Sequence, residues 1–324
     1  MFLVITRNFP PEIGGMQNLM GGLTTALVDH GPVKVFADKS ERFDEFDKNS
    51  KAKIERFGGF KLFRKYRKAN RVSEFIKENN NIRSIFFDHW KSVEKINSDT
   101  LKSIPSFCLI HSKEINHLQN SSLNKRVLNS LEKVNFIIAN SRFTKKLALN
   151  IGLPEKKIHI IHPGHDKPAN IESNFKEESE KIFGNSFPKI LTVARLERRK
   201  NHQNILMCIR NLKEKFPKIK YVSIGDGDEK KRLLSLVEEL KLEKEVIFLD
   251  NIEQKLKISL LRTCNLFLMP SIIYKKSVEG FGISFIEAAS YGVGSIGGKD
   301  GGAEDAIRNN ETGLICDGQD ISSI

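Results

Sequence analysis

Two glutamates that stand eight residues apart, Glu279 and Glu287, flank a glycine turn and an apolar run. Gly280 and Gly282 allow the turn to take unusual dihedral angles and to lie close to a ligand. A helix that begins near Ile283 would direct its N-terminal N–H groups at the turn, and helix N-termini bind anions. Because carboxylates accept hydrogen bonds from hydroxyls, the stretch suits a ligand with central phosphates and hydroxyls at both ends. The alternative is an exposed helix after an ordinary turn, since glutamate is mostly exposed in proteins.

Two short motifs follow this stretch, Gly-Gly-Ala-Glu at 301–304 and Thr-Gly-Leu at 312–314. Taken together, EGFGISFIEAASYGVGS, GGAEDAI and ETGLI resemble the C-terminal signature of the retaining glycosyltransferases of family 4, the group 1 glycosyltransferases. The resemblance implies the α/β GT-B fold, in which two Rossmann-like domains face each other across a cleft. It also implies transfer of a sugar from a nucleotide-diphospho-sugar to an acceptor with retention of configuration.

The run RLERRKNH after an apolar strand resembles the family's G-R-L-x-x-x-K-G segment, with Ala194 and Asn201 in place of glycines. In the family the matching cations, here Arg195 and Lys200, hold the donor diphosphate. Arginine offers a fork and lysine a point charge, a suitable pair for a pyrophosphate. We expect Lys200 to be exposed and Arg199 to point to a neighbouring face; the alternative is a basic surface turn.

The resemblance assigns the remaining candidate residues as well. Glu279 and the following turn would hold the sugar, Glu287 would accept from the ribose, and His111, at the end of a predicted strand, would contact the sugar or its phosphate. These candidates are Glu279 and His111 as catalytic residues, Gly14 and Gly15 at the donor diphosphate, Gly280, Phe281, Gly282 and Glu287 at the donor sugar and ribose, and Gly225 and Gly227 in the base-binding loop.

The sequence gives less support to a dehydrogenase or to a metal-dependent enzyme. The chain opens as strand, glycine loop and helix, but G-x-G-x-x-G is absent, which counts against a dehydrogenase. The spacing of Asp226 and Asp228 is compatible with a metal-binding pair of carboxylates. Their turn, however, resembles the family's base-binding loop, and the resemblance to the GT-B fold implies no metal. We therefore expect metal-independent chemistry with no cofactor beyond the nucleotide-sugar co-substrate.

The charge of the chain is uneven. Its net charge is +13, and residues 1–170 carry 29 Lys and Arg against 17 Asp and Glu. Six of the eleven residues at 61–71 are basic, with Phe63 and Tyr66 between them. The favoured interpretation is a solvated helix whose aromatic side chains face the core. The second is contact with an anionic membrane surface or a lipid-linked acceptor, and nucleic-acid binding ranks third because no nucleic-acid fold signature accompanies the charge.

Composition also predicts location and domain limits. Four scattered cysteines without metal spacing indicate reduced core thiols, and no signal peptide or long apolar run occurs, so we expect a cytoplasmic protein that contacts the inner face of the membrane. We predict an acceptor-binding domain at 1–168, a polar linker at 168–186 and a nucleotide-sugar-binding domain at 187–324. Compared with the family, the C-terminal helices are expected to be missing.

The expected function is a hexosyltransferase of cell-envelope polysaccharide biosynthesis that acts on a glycan, lipid-linked or small-molecule acceptor. Two alternatives stay open. One is a GT-B sugar-nucleotide epimerase, and the other is a non-catalytic protein that binds sugar nucleotides or a membrane surface.

Overall fold

A computed structural model describes residues 1–165 and 170–324, which form two compact units, Met1–Pro163 and Gly164–Ile324. Each unit is built around one parallel β-sheet with helices between its strands. This confirms the predicted class of two Rossmann-like α/β domains. The predicted domain boundary at residue 168 lies outside the described residues.

The sheet of the first unit has seven parallel strands in the order β3-β2-β1-β4-β5-β6-β7. The central strands, such as β1 with its five buried residues, are apolar because a parallel sheet covered on both faces is buried there. The strands are β1 (Phe2–Thr6), β2 (Val33–Asp38), β3 (Lys53–Phe57), β4 (Ser84–Phe87), β5 (Ser106–Ile110), β6 (Phe136–Ala139) and β7 (Ile158–Ile160). The helices are α1 (Gly15–Val28), α2 (Phe43–Asn49), α3 (Lys61–Glu78), α4 (Trp90–Val93), α5 (Ser98–Leu101), α6 (Ser122–Leu131) and α7 (Arg142–Asn150).

The sheet of the second unit has six parallel strands in the equivalent order, β10-β9-β8-β11-β12-β13. Its strands are β8 (Lys189–Val193), β9 (Lys220–Ile224), β10 (Val246–Leu249), β11 (Leu266–Met269), β12 (Ser295–Gly298) and β13 (Gly313–Cys316). Its helices are α8 (Ser173–Phe183), α9 (His202–Leu212), α10 (Lys230–Glu239), α11 (Gln254–Thr263), α12 (Ile283–Ser290) and α13 (Ala303–Ala306).

In both sheets the strand order reverses beside the first strand, between β1 and β4 in one unit and between β8 and β11 in the other. Loops that leave the carboxyl ends of two such strands diverge to opposite faces and open a crevice there. The loop after β8 carries Arg195 and Lys200, and the loop after β11 carries Glu279. The topology alone therefore brings these residues to one place.

The sheet of the second unit continues after the glycine turn at 280–282 with β12 and β13, which are both short and contain glycine. One expectation about this unit was wrong. The polar segment expected to be a linker contains α8, which places Phe175 and Phe183 in the core of the second unit.

Candidate functional site

A carboxylate whose side chain is only 12% exposed lies with two cations at the strand-order reversal of the second sheet. Nη1 of Arg199 donates to Oε2 of Glu279 at 2.8 Å, and Nζ of Lys200 donates to the same oxygen. Both hydrogen bonds end on Oε2, and the other oxygen, Oε1, takes no part in them. Burial raises the pKa of Glu279, but Lys200 and Arg199 outweigh it and hold the pKa at about 2. Glu279 is therefore ionised, with acceptor capacity left on Oε1.

The environment of Lys200 differs from the sequence-based expectation. Lys200 is 6% exposed, and its Nζ also lies 3.2 Å from Sδ of Met269. Lys200 ends the short helical turn that closes the β8 loop, and there its side chain pairs with Glu279. Arg199 does not point to a neighbouring face, because it shares the same carboxylate. The expectations of an exposed Lys200 and of an Arg199 that points away were both wrong. Lys200 and Glu279 are 79 residues apart in the sequence, so no local sequence pattern indicates that they pair.

Arg195 stands apart from this cluster. Its side chain is 72% exposed, and its Nε lies 3.5 Å from Oε1 of Glu197. An ion pair this exposed contributes little to stability. Arg195 thus remains available as a solvent-facing cation on the same loop as Lys200.

The main chain at Glu279 is held by the glycine motif that follows β12. The N–H of Gly302 donates to the carbonyl of Glu279 at 2.8 Å, and a Cβ at Gly301 would lie 2.3 Å from that carbonyl oxygen. Gly282 has φ 92° and precedes α12, whose start at Ile283 confirms the predicted helix. The two glycine motifs thus fix the carbonyl of Glu279 and the start of the following helix.

The predicted base-binding loop packs against the loop after β8. A Cβ at Gly225 would lie 2.1 Å from the carbonyl oxygen of Ala194, and one at Gly227 would lie 2.5 Å from that of Leu196. Only glycine permits this approach of main chain to main chain. Asn201, in place of a family glycine, has φ 62°, a left-handed conformation that asparagine tolerates better than most residues.

Glu287 lies on α12 as predicted, but it is engaged by cations. Lys257 from α11 pairs with Oε1 of Glu287, and Nε2 of His165 lies 3.5 Å from the same oxygen. Phe281, placed at the donor sugar from the resemblance, is 3% exposed and packs in the interior. The two glutamates therefore have separate cationic partners rather than forming one pair of carboxylates.

Residues at the strand-order reversal of the first sheet centre on Asp88, which the sequence did not single out. Asp88 follows β4, is fully buried, and accepts from the N–H of Arg7 at 2.8 Å and from the Ser92 hydroxyl at 2.6 Å. His111 follows β5, and its Nε2 lies 3.1 Å from the Asp88 carbonyl oxygen. Because a carbonyl only accepts, Nε2 carries a proton. Gly15 begins α1 in the same unit.

The basic segment forms the first half of α3, and its aromatic side chains do not face the core. Phe63 is 68% exposed and Tyr66 48% exposed, whereas Lys68 is buried and pairs with Asp38 at 2.7 Å. The favoured interpretation of inward aromatic side chains was therefore wrong. Lysine turns inward here because Asp38 and the carbonyl of Thr6 satisfy its ammonium group.

None of the helices within 1–165 and 170–324 is both long and apolar enough to cross a membrane. Nor do those ranges contain a group of three or more His, Cys, Asp or Glu side chains that could hold a metal ion.

Comparisons with known proteins give the family. Residues 13–167 match the domain of glycosyltransferase family 4, and residues 174–324 match the domain of group 1 glycosyl transferases. The chain belongs to the family 4 glycosyltransferases. A relative is the GDP-mannose-dependent alpha-(1-6)-phosphatidylinositol monomannoside mannosyltransferase of Mycolicibacterium smegmatis, 22% identical over 99% of this chain and 86% of that protein.

Solved structures agree in fold. The crystal structure of Anabaena Alr3699/HepE in complex with UDP matches with a TM-score of 0.81 and 18% identity, over 99% of this chain and 87% of that one. The complex of the same protein with UDP-glucose matches with a TM-score of 0.78. At this identity the match establishes the two-domain GT-B fold.

Proposed function

We propose that this protein moves a sugar from a nucleotide-diphospho-sugar to a lipid-linked or glycan acceptor with retention of configuration. The observation that carries the proposal is the Glu279 carboxylate, fixed through one oxygen by Arg199 and Lys200 while its other oxygen keeps free acceptor capacity. A rigid acceptor of this kind suits the hydroxyls of a sugar. Relatives named as mannosyltransferases and a neighbour bound to UDP-glucose support the same class of reaction.

The proposed roles follow the positions of the side chains. Arg195 is solvent-facing and binds the diphosphate, and Lys200 adds positive charge from beneath. Oε1 of Glu279 accepts from the sugar, and Glu287 accepts from the ribose while Lys257 neutralises it. The loop with Gly225 and Gly227 borders the base. His111, Gly14 and Gly15 are proposed at the sugar and phosphate from the first unit.

In the proposed step, the bond between the anomeric carbon and the diphosphate oxygen breaks as the acceptor oxygen bonds to the same face. The acceptor proton passes to an oxygen of the leaving diphosphate. Negative charge grows on the diphosphate as this bond breaks, so Arg195 and Lys200 stabilise the transition state more than the ground state.

We propose that no divalent metal and no other cofactor takes part. The cations of the β8 loop supply the charge that a metal would bring to the diphosphate. Turnover is expected to persist in EDTA, measured after dialysis against the chelator. Complete loss with recovery on adding manganese would contradict this and would return attention to Asp226 and Asp228.

The proposed setting is cell-envelope synthesis at the inner face of a membrane. The Mycolicibacterium relative is named for a phosphatidylinositol acceptor, and α3 of this chain presents basic and aromatic side chains. The exposed half of α3 would rest on an anionic surface.

A donor screen tests the proposal. Nucleotide-sugars are first compared by thermal shift, and the best donor is then incubated with and without acceptor extracts, with the anomeric configuration of the product read by NMR. Acceptor-dependent release of nucleotide with a retained anomer supports the proposal. Conversion of the donor sugar without acceptor would identify an epimerase, and binding without turnover in either arm would identify a non-catalytic binder.

A further inference from the structure

A pocket in the first unit that contains none of the residues assigned to the donor is lined mainly by basic side chains. Its volume is about 280 Å³, and it opens where β1 and β2 end, beneath the first turns of α3. Eight of its lining side chains are basic and two are acidic. The basic ones are Arg7, Lys61, Arg64, Lys65, Lys68, Lys91, Lys95 and Arg126, and the acidic ones are Asp38 and Glu94.

The two carboxylates neutralise only part of this charge. Asp38 pairs with Arg64 at 3.2 Å and with Lys68 at 2.7 Å, and Glu94 pairs with Arg126 at 2.8 Å. In the described part of the chain, Arg7 and three of the pocket lysines form no ion pair. These lysines are Lys61, Lys65 and Lys91.

Burial and the surplus positive charge together lower the pKa of a lysine in the pocket. The pKa of Lys91 is lowered by burial first and then by the neighbouring Arg7, Arg126 and Lys61. Cations that repel one another in a concave site are stabilised by a bound anion. Lys61 and Lys65 stand four residues apart on one face of α3, so both ammonium groups reach one ligand.

The rim of the pocket is apolar. Leu62 lines it and is 69% exposed. Phe63 and Tyr66 on the first turns of α3, and Phe60 directly before the helix, are exposed as well. A small soluble anion makes no apolar contacts with such a rim, whereas a lipid phosphate is attached to apolar chains that can contact it. Aromatic and aliphatic side chains beside lysine are the composition of a surface that rests in a lipid headgroup layer.

We infer that this pocket binds the phosphate or diphosphate of an anionic lipid, with Lys61, Lys65, Lys91 and Arg7 on the phosphate and the rim of α3 in the headgroup layer. The lipid is either the acceptor itself or a phospholipid that anchors the enzyme. This inference rests on the proposed function for its link to an acceptor. It assigns the lipid phosphate to residues of the first unit, whereas the proposed donor residues Arg195, Lys200 and Glu279 belong to the second.

The test compares Lys65→Ala/Lys91→Ala with a matched control, Lys51→Ala/Lys77→Ala, which removes the same charge from exposed positions of the same unit. Co-sedimentation is measured with vesicles of phosphatidylcholine alone and of phosphatidylcholine with phosphatidylglycerol. The pocket variant should bind the anionic vesicles about 10- to 30-fold more weakly than wild type, and the control should change by roughly twofold. Inorganic diphosphate at constant ionic strength should displace wild-type protein.

Equal losses in both double variants, equal binding to neutral vesicles, or no effect of diphosphate would overturn the inference. Turnover of the pocket variant separates the two sources of the lipid phosphate. If its activity stays low with detergent-solubilised acceptor, the pocket binds the phosphate of the acceptor. If detergent restores its activity, the pocket binds an anchoring phospholipid. A nucleotide-sugar thermal shift runs alongside on wild-type protein. If wild-type protein binds a nucleotide-sugar but does not bind anionic vesicles, only this inference is refuted. If it binds no nucleotide-sugar, the proposed function is refuted.

Discussion

Glu279 is a carboxylate in the interior whose charge depends on two neighbours. The side chain of Lys200 is 8% exposed and that of Glu279 is 12% exposed, so each of the pair would be a poorly compensated charge without the other. Removing one partner of a buried ion pair is strongly destabilising, although replacing both with apolar groups is often neutral. The same pairing that positions the carboxylate therefore links the site to stability.

Lys200→Ala is expected to lower both stability and turnover. Arg199 still neutralises part of Glu279, so the free energy of unfolding should fall by about 3 kcal/mol, the lower end for a broken buried pair. Turnover should fall by about 10²–10³, the scale for one group that stabilises developing charge. Urea unfolding and kcat are measured beside Lys231→Ala, an exposed lysine of the same unit. Wild-type turnover in Lys200→Ala would place the diphosphate elsewhere.

The pH dependence of stability should report on Glu279. Its pKa is about 2 in the folded protein against an ordinary value of 4.5, so the folded state favours the ionised form. This contribution, about 3 kcal/mol, is present above pH 4.5 and is lost as the pH falls toward 2. Urea unfolding across this range should give a steeper slope for wild type than for Glu279→Gln. Parallel slopes would show that Glu279 titrates normally in the folded protein.

At the scale of elements, the loops after β8 and β9 form a unit through their glycines. Gly225 has φ 144°, and a Cβ there would meet the main chain of Ala194, which no rotamer change relieves. Gly225→Ala should therefore cost about 1–3 kcal/mol and weaken donor binding, because the loop that carries Arg195 and Lys200 must shift. Gly294→Ala is the control, since in the described chain no atom outside its chain neighbours lies within 4 Å of that added Cβ.

Thermal unfolding and donor titration of both glycine variants measure this effect. Gly294→Ala should be neutral or more stable by about 0.4–1 kcal/mol. If Gly225→Ala binds donor as well as Gly294→Ala does, the β9 loop does not support the site.

Element prediction from the sequence succeeded where one physical signal dominated. The helix predicted near Ile283 begins at that residue, and the strand predicted before His111 is β5, which ends at Ile110. Helix α8 was missed because its exposed positions are charged and only Phe175 and Phe183 anchor it. The candidate site was partly predicted, because Glu279 and Lys200 lie in recognisable motifs. Their pairing was not, because it is created by the strand order rather than by spacing along the chain.

At the scale of the whole molecule, the two units have separate hydrophobic cores, and their chemistry differs. The first unit carries the surplus positive charge and the cationic pocket, and the second carries the glycine motifs with the buried Glu279 cluster. We therefore expect the proposed nucleotide-sugar and the proposed anionic lipid to stabilise different parts of the chain, since each ligand protects the fold it contacts.

Hydrogen exchange with and without donor tests that division. At a donor concentration of about 100 times Kd, the bound form gains about 2.7 kcal/mol, enough to slow exchange through the protected region. Protection should centre on residues 194–201, 225–229 and 279–302, whose main chains are joined by the contacts of Glu279 and Gly225. A nucleoside monophosphate lacks the second phosphate and should protect the first of these segments less. Protection confined to residues 61–95 would instead put the nucleotide in the cationic pocket of the first unit and would refute the donor site at Glu279.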